Sequence, residues 1–201
     1  MTLDDLVFLP LVPGETDFSH FDCGRDDIND FFLNDASDYQ EELFGKTYVF
    51  VPEKSPATIV AAFTVANASI FTKRLPNARK KKIGYEVHQS KGMIYYPAVL
   101  LGRLGVDKHF QHEHLGAQII DFVAQWFTSE DNKSGCRHLI VDAYNEQGLI
   151  DFYERNGLKL FFSTEEQERE YRDLSDSGQE LETRLMYRDL ILLKRISIRK
   201  K

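Results

Sequence analysis

Between Leu100 and Phe127 the chain reads LLGRLGVDKHFQHEHLGAQIIDFVAQWF, and this run constrains the fold more than any other. An apolar segment ends at Val106 and Asp107, a polar loop follows, and an amphipathic segment opens at Leu115-Gly116-Ala117. That order predicts a strand, a loop and a helix start. A helix that opens straight after a tight loop presents backbone N–H groups without intrahelical partners, and its dipole adds positive potential. Both favour an anion, so the loop points to a phosphate-bearing ligand.

The flanking sequence sets this unit in a mixed fold. Asp26 or Asp27 can cap a helix running to about Glu42, with Ile28, Phe31, Phe32, Tyr39 and Leu43 on one stripe. Thr47 to Val51 predicts a strand, Pro52 to Pro56 a turn, and Thr58 to Ile70 an antiparallel partner strand. Residues 71–96 predict an inserted loop or short helix. Pro97 to Asp107 is the strand of the opening run, and Leu115 to Ser129 the helix after it. His138 to Ala143 predicts a strand, Glu146 to Asn156 a helix, 163–180 a charged, exposed excursion, and Leu181 to Leu193 a final strand. Residues 1–25 read as loop-rich, with a short apolar patch at Leu6 to Val12. Strands alternating with helices in the second half imply an α/β (mixed α+β) sheet with helices on both faces. The 201 residues fit one domain, 1–201, with a helical N-terminal segment to about residue 45 and a core from about 45 to 190.

Charge and cysteine content narrow the function. A net charge of −7 counts against a general nucleic-acid binder, which needs Lys and Arg on its binding face. Two basic stretches stand out, Arg79-Lys80-Lys81-Lys82 and the C-terminal Lys194-Arg195 with Arg199-Lys200-Lys201. Each reads as a solvated loop or tail, or as a contact for RNA or an acidic substrate. No stretch approaches the roughly 20 apolar residues of a membrane span. Cys23 and Cys136 read as free thiols, and with an acidic N-terminus they imply a cytoplasmic protein.

Three blocks carry a resemblance. Gln111-His112-Glu113-His114-Leu115-Gly116 resembles the Gln/Arg-x-x-Gly-x-Gly/Ala pyrophosphate loop of the GNAT superfamily of acetyl-CoA-dependent N-acetyltransferases. Gln111 and Gly116 match, while His114 stands where the first glycine is expected. Glycine suits that position because the backbone approaches the phosphates closely, sometimes at positive φ. The second block is the strand at His138 followed by Tyr144-Asn145 and Phe152-Tyr153-Glu154-Arg155-Asn156-Gly157-Leu158, with Leu158 for the common Phe. The third, Phe21-Asp22-Cys23-Gly24 with Phe31-Phe32-Leu33, is similar to the branch that includes acetyltransferase toxins of type II toxin–antitoxin pairs. That branch shares the Leu-Gly-Arg-Leu-x-Val-Asp strand seen at Leu101 to Asp107.

The resemblance implies a twisted mixed sheet, splayed between two parallel strands, Ala98–Asp107 and His138–Asn145. It implies acetyl-CoA as donor, with the pyrophosphate on the amides of Gln111, His112, Glu113, His114, Leu115, Gly116 and Ala117. The pantetheine arm would pair with the backbone of Leu104, Gly105 and Val106, and an oxyanion would meet N–H groups near Leu104. Tyr153 would protonate the leaving thiolate, or be a core-facing aromatic. Asn145 would bond the cofactor arm or end the strand. Arg103 would line the substrate site or form a surface salt bridge.

No carboxylate lies on the strand Ala98–Leu104 to act as general base. An amine of low pKa, such as an α-amine near ~7.7–8.0, would need the least help. His109, His112, Glu113 and His114 are metal ligands by type, but their spacing on a loop does not force convergence, and no metal is expected. The expected partners are an amine acceptor (small molecule, protein or aminoacyl-tRNA), an antitoxin and a second copy, with no membrane. A non-catalytic acyl-CoA-binding domain is the competing reading.

Overall fold

The computed structural model describes residues 1–84, 93–174 and 180–199, and the chain divides into two compact units. The first comprises Met1–Asn67 and Leu100–Trp126, the second Ala68–Val99 and Phe127–Lys201. Seven strands form one hydrogen-bonded order, β1-β2-β3-β4-β5-β7-β6, in which β3 (Ala61–Phe71) and β4 (Tyr95–Val106) each contribute to both units.

In the first unit β1 (Leu6–Pro10) pairs antiparallel with β2 (Lys46–Pro52), Leu6 opposite Pro52 and Pro10 opposite Tyr48. The apolar patch at the N-terminus is therefore an edge strand, not loop. β2 pairs antiparallel with β3, and the Thr47 and Thr64 hydroxyls bond at 2.7 Å in the buried layer between them. On one side lie Phe8, Tyr48, Phe50, Phe63, Phe122 and Trp126, with ring centroids 4.8 to 6.5 Å apart. Phe122 and Trp126 come from α4 (Leu115–Trp126), whose core stripe is Leu115, Ile119, Ile120, Val123 and Ala124. That stripe recurs at helical spacing, which is why the segment folds as a helix.

The predicted N-terminal helix is present but interrupted. α1 (Asp26–Asp30) runs into a π-helical turn at Phe31–Asp35 before α2 (Ala36–Glu41). The wider turn accompanies burial of the adjacent Phe31 and Phe32, which contact each other edge to face.

In the second unit β4 and β5 (His138–Tyr144) run parallel, and β5 pairs antiparallel with β7 (Thr183–Asp189) over seven residues. The short β6 (Lys159–Leu160) closes the edge on β7. α5 (Gln147–Arg155) follows β5 as expected. Within the inserted segment Asn77–Gly84 forms the short helix α3, one of the two forms expected there, and residues 85–92 lie outside the described residues. Two expectations are corrected. The charged segment is not simply exposed. It forms α6 (Glu165–Tyr171), whose Glu168 is fully buried and accepts from Arg184 Nε (2.8 Å), Arg172 Nη2 (2.7 Å) and Leu185 N–H (2.6 Å). Its later part, 175–179, lies outside the described residues. The final strand stops at Asp189, whose carboxylate accepts the Ile191 N–H (3.1 Å) and turns the chain into α7 (Ile191–Arg199).

Candidate active site

β4 leads into the loop predicted to hold phosphate, and the first unit contains the whole of that loop. The strand ends at Val106, and Asp107 is buried at 4 % exposure. Its own N–H donates to the Val60 carbonyl (2.9 Å). Its carboxylate accepts from the Asp22 N–H (3.0 Å), the His109 N–H (3.0 Å) and His109 Nδ1 (2.8 Å). Burial pushes this carboxyl up, but the three donors outweigh it and hold it below the usual carboxylate range. Asp22 answers from the other side, accepting from Lys108 Nζ (2.7 Å), the Gly24 N–H (2.8 Å) and Asn29 Nδ2 (2.8 Å). The Lys108 ammonium, then Gly24 and Asn29, hold Asp22 well below the usual range.

Gln111 closes the same latch. Its Nε2 donates to the carbonyls of Cys23 (3.0 Å) and Val106 (3.0 Å), so its side chain faces the protein and fixes the loop. Gly105 packs beneath. A Cβ there would meet Phe21 Cζ at 3.0 Å and Cys23 Cβ at 3.1 Å, so a side chain at 105 would displace the N-terminal segment. The Phe21–Gly24 and Leu101–Asp107 blocks, far apart in sequence, are thus one structural feature. Sequence reading missed Asp22, Lys108 and Asp107 as site residues, because nothing local links positions 85 residues apart.

Beyond the latch, His112 and His114 both adopt positive φ, 70° and 58°. The expected demand for a left-handed residue at 114 is met by histidine, and a second such position lies at 112. The first bond of α4 runs from the Gln118 N–H to the His114 carbonyl (3.2 Å). The amides of Leu115, Gly116 and Ala117 therefore lead the helix without intrahelical acceptors. His112, Glu113 and His114 are exposed, and Glu113 accepts from the Met1 amino group (2.8 Å). Among the described residues no group of three or more His, Cys, Asp or Glu is arranged to hold a metal ion.

Arg103, on β4, is exposed, and no carboxylate pairs with it among the described residues. Its guanidinium lies 5.0 Å from the Phe31 ring centroid and donates to the Gly102 carbonyl (3.0 Å). Leu104 and Val106 are half-buried on the same strand.

The second unit carries the remaining candidates. Tyr153 sits on α5, edge to face with Phe152 at 5.2 Å. Burial pushes its phenol up to about 12, and the phenol has no hydrogen-bond partner among the described residues. Such a group stays protonated through the physiological range and can donate to an arriving acceptor. Asn145 ends β5 with both amide hydrogens engaged, on Glu165 Oε1 (2.9 Å) and the Leu181 carbonyl (2.9 Å). Only its side-chain oxygen remains for a ligand.

No known protein-family profile matches the chain. Solved structures do match it. A tyrosine-to-phenylalanine mutant of KacT aligns with TM-score 0.70 at 18 % identity, covering 96 % of this chain and 99 % of that one. AtaT complexed with acetyl-methionyl-tRNA aligns at 0.72 and 18 % identity, with the same coverage of 96 % and 99 %. AtaTR bound with acetyl-CoA aligns at 0.68 and 18 % identity, over 96 % and 98 %. Over nearly its whole length the chain therefore has the fold of KacT and AtaT, the GNAT-type mixed sheet that its three sequence blocks resemble.

Proposed function

We propose that this protein is an acetyl-CoA-dependent N-acetyltransferase that moves the acetyl group to a primary amine by direct attack. The observation that carries this reading is the latched loop after β4. It ends in the amides of Leu115, Gly116 and Ala117, which have no intrahelical acceptor, in a fold whose solved neighbours include AtaTR bound with acetyl-CoA. Those amides would hold the pyrophosphate, with the backbone at His112, Glu113 and His114 bending the loop around it. Gln111 acts from behind, through the carbonyls it binds. The backbone of Leu104, Gly105 and Val106 would align the pantetheine arm as an added strand would be aligned.

During transfer the neutral amine nitrogen bonds the acyl carbon, the carbon–sulfur bond breaks with its electron pair on sulfur, and the proton shed by the nitrogen passes through solvent to restore the phenol that protonates the sulfur. The Tyr153 phenol donates to the departing sulfur. A thiol ordinarily titrates near ~8.5, below the Tyr153 phenol. A dry site raises both groups, and a hydrogen bond to the developing thiolate already lowers the barrier. Asn145 positions the end of β5 rather than donating to ligand.

As the acceptor we propose the amine of an aminoacyl-tRNA. AtaT has been captured with acetyl-methionyl-tRNA. β4 carries no carboxylate to deprotonate a lysine-like amine, and Arg103 presents an unneutralised charge beside Phe31. AtaR, the antitoxin bound to AtaT, supports a dedicated partner for this chain as well.

An acceptor panel tests the reading. The full chain, acetyl-CoA and either methionyl-tRNA, free methionine amide or a lysine peptide are assayed for acetyl-amine formation by mass spectrometry. Acetylation of the charged tRNA well above the small amines supports the proposal. Preference for the lysine peptide would overturn the acceptor, and no transfer to any amine would overturn the activity.

A further inference from the structure

The second unit contains a cleft of about 470 Å³ that none of the residues of the proposed acetyltransferase site lines. It forms where the segment between α4 and β5 faces the start of α7. Both walls are tied. Asn132 donates from Nδ2 to the Phe127 carbonyl (2.9 Å) and accepts the Ser134 N–H (3.3 Å), which fixes the loop wall. On the other side Asp189 accepts from Arg137 Nη2 (2.7 Å) and from the Ile191 N–H (3.1 Å), and the Leu190 N–H bonds the Arg137 carbonyl (3.0 Å).

The cations in this cleft are not balanced. Lys133 lies on the loop wall and Lys194 on α7, both exposed, and neither has an acidic partner among the described residues. Arg137 commits one guanidinium nitrogen to Asp189. Glu130 is the one acidic lining residue. In a chain of net charge −7, two lysines and an arginine lining one cleft beside a single acidic lining residue are a local reversal of sign. Phe127 and Ile191 add apolar surface. The volume falls in the range of about 300–1,000 Å³ that ordered small-molecule sites occupy.

We propose that this cleft binds a small phosphomonoester carried on a planar or apolar body, of the size of a nucleoside monophosphate. Lys133 and Lys194 hold the phosphate, which carries a charge of about −1.5 to −2 and three acceptor oxygens at neutral pH. Phe127 and Ile191 cover the body. A lone carboxylate offers fewer acceptor oxygens and less charge to the cationic residues that line the cleft. The site is independent of the acetyl-CoA reading and would give the protein a second ligand.

The test is calorimetric titration of the full chain with AMP and with inorganic phosphate, each with and without excess acetyl-CoA. The acetyl-CoA arm matters because AMP resembles part of that cosubstrate. The expected result is saturable AMP binding that acetyl-CoA leaves unchanged and that is tighter than phosphate binding. The double variant Lys133→Glu/Lys194→Glu should weaken it by at least about tenfold. Lys159→Glu, a reversal on β6 outside the cleft, should not. Both cleft lysines are exposed, so the double variant should melt with the wild type. The proposal is overturned if AMP fails to bind, if acetyl-CoA displaces it, or if the charge reversals leave its affinity unchanged. Failure of acetyl-CoA itself to bind would count against the acetyltransferase reading alone, since the AMP arm reads independently.

Discussion

His138 gives a prediction whose size the structure fixes. The residue opens β5, is fully buried, and neither ring nitrogen has a hydrogen-bond partner among the described residues. It lies between Tyr96 and Tyr187, with ring centroids at 6.0 and 6.1 Å. Burial pushes its pKa down to about 4. Asp189 opposes this and Arg137 adds to it. In the unfolded chain the same group titrates near ~6.5. As pH falls from 6.5 to 4, the unfolded state takes up a proton that the folded state refuses, so stability drops with pH in that window. A gap of between two and three units at about 1.4 kcal/mol each amounts to about 3 kcal/mol. His138→Leu keeps the volume and removes both the proton and the buried unpartnered N–H, itself a cost of about 1–3 kcal/mol. Against that stands the loss of the aromatic contacts, about 0.5–1.5 kcal/mol. Urea unfolding at pH 7.0 and pH 4.5 should show the variant near wild-type stability at about pH 7 and more stable by about 2–3 kcal/mol at about pH 4.5. Parallel loss of stability in both proteins between those pH values would refute the reasoning.

Three further outcomes follow from the site and its supports. His114→Gly removes a non-glycine residue from positive φ, and the site relies on backbone there, so acetyl-CoA affinity measured by calorimetry should be kept or improved. A tenfold loss, about 1.4 kcal/mol, would instead give the imidazole a binding role. Gln111→Ala frees the carbonyls of Cys23 and Val106, and should weaken acetyl-CoA binding by up to about tenfold with kcat little changed; an equal fall in kcat would contradict the positioning role. Glu168→Gln leaves Arg184 and Arg172 facing a neutral group in a buried network, and should lower unfolding stability by about 3–5 kcal/mol in a denaturant melt.

Much of the fold around the candidate site is legible in the sequence. β4, α4, β5 and α5 fall within a few residues of their predicted bounds, because each carries a strong apolar period bounded by polar turns. The demand for positive φ at 114 was legible too, from the glycine that the family pattern prefers. What stayed hidden depends on partners remote in sequence. β1 alternates exposed and half-buried residues and contains Pro10, so its pairing with β2 is invisible locally. The run Ile191-Leu192-Leu193 has strand-like composition, yet Asp189 caps it into a helix. Glu168 sits among seven other acidic residues between 165 and 182, and only Arg172 and Arg184 decide that it is the buried one. The Asp22–Asp107 latch needed both halves in view at once.

The measurement that bears most directly on the central claim is calorimetric titration of acetyl-CoA into the wild type and Tyr153→Phe, with single-turnover acetyl transfer on the same preparations. The account predicts micromolar binding to both proteins, since backbone amides hold the donor, and transfer about 10²-fold or more slower in the variant. Absence of binding by any acyl-CoA to the wild type would contradict it, leaving a chain with this fold but not this chemistry.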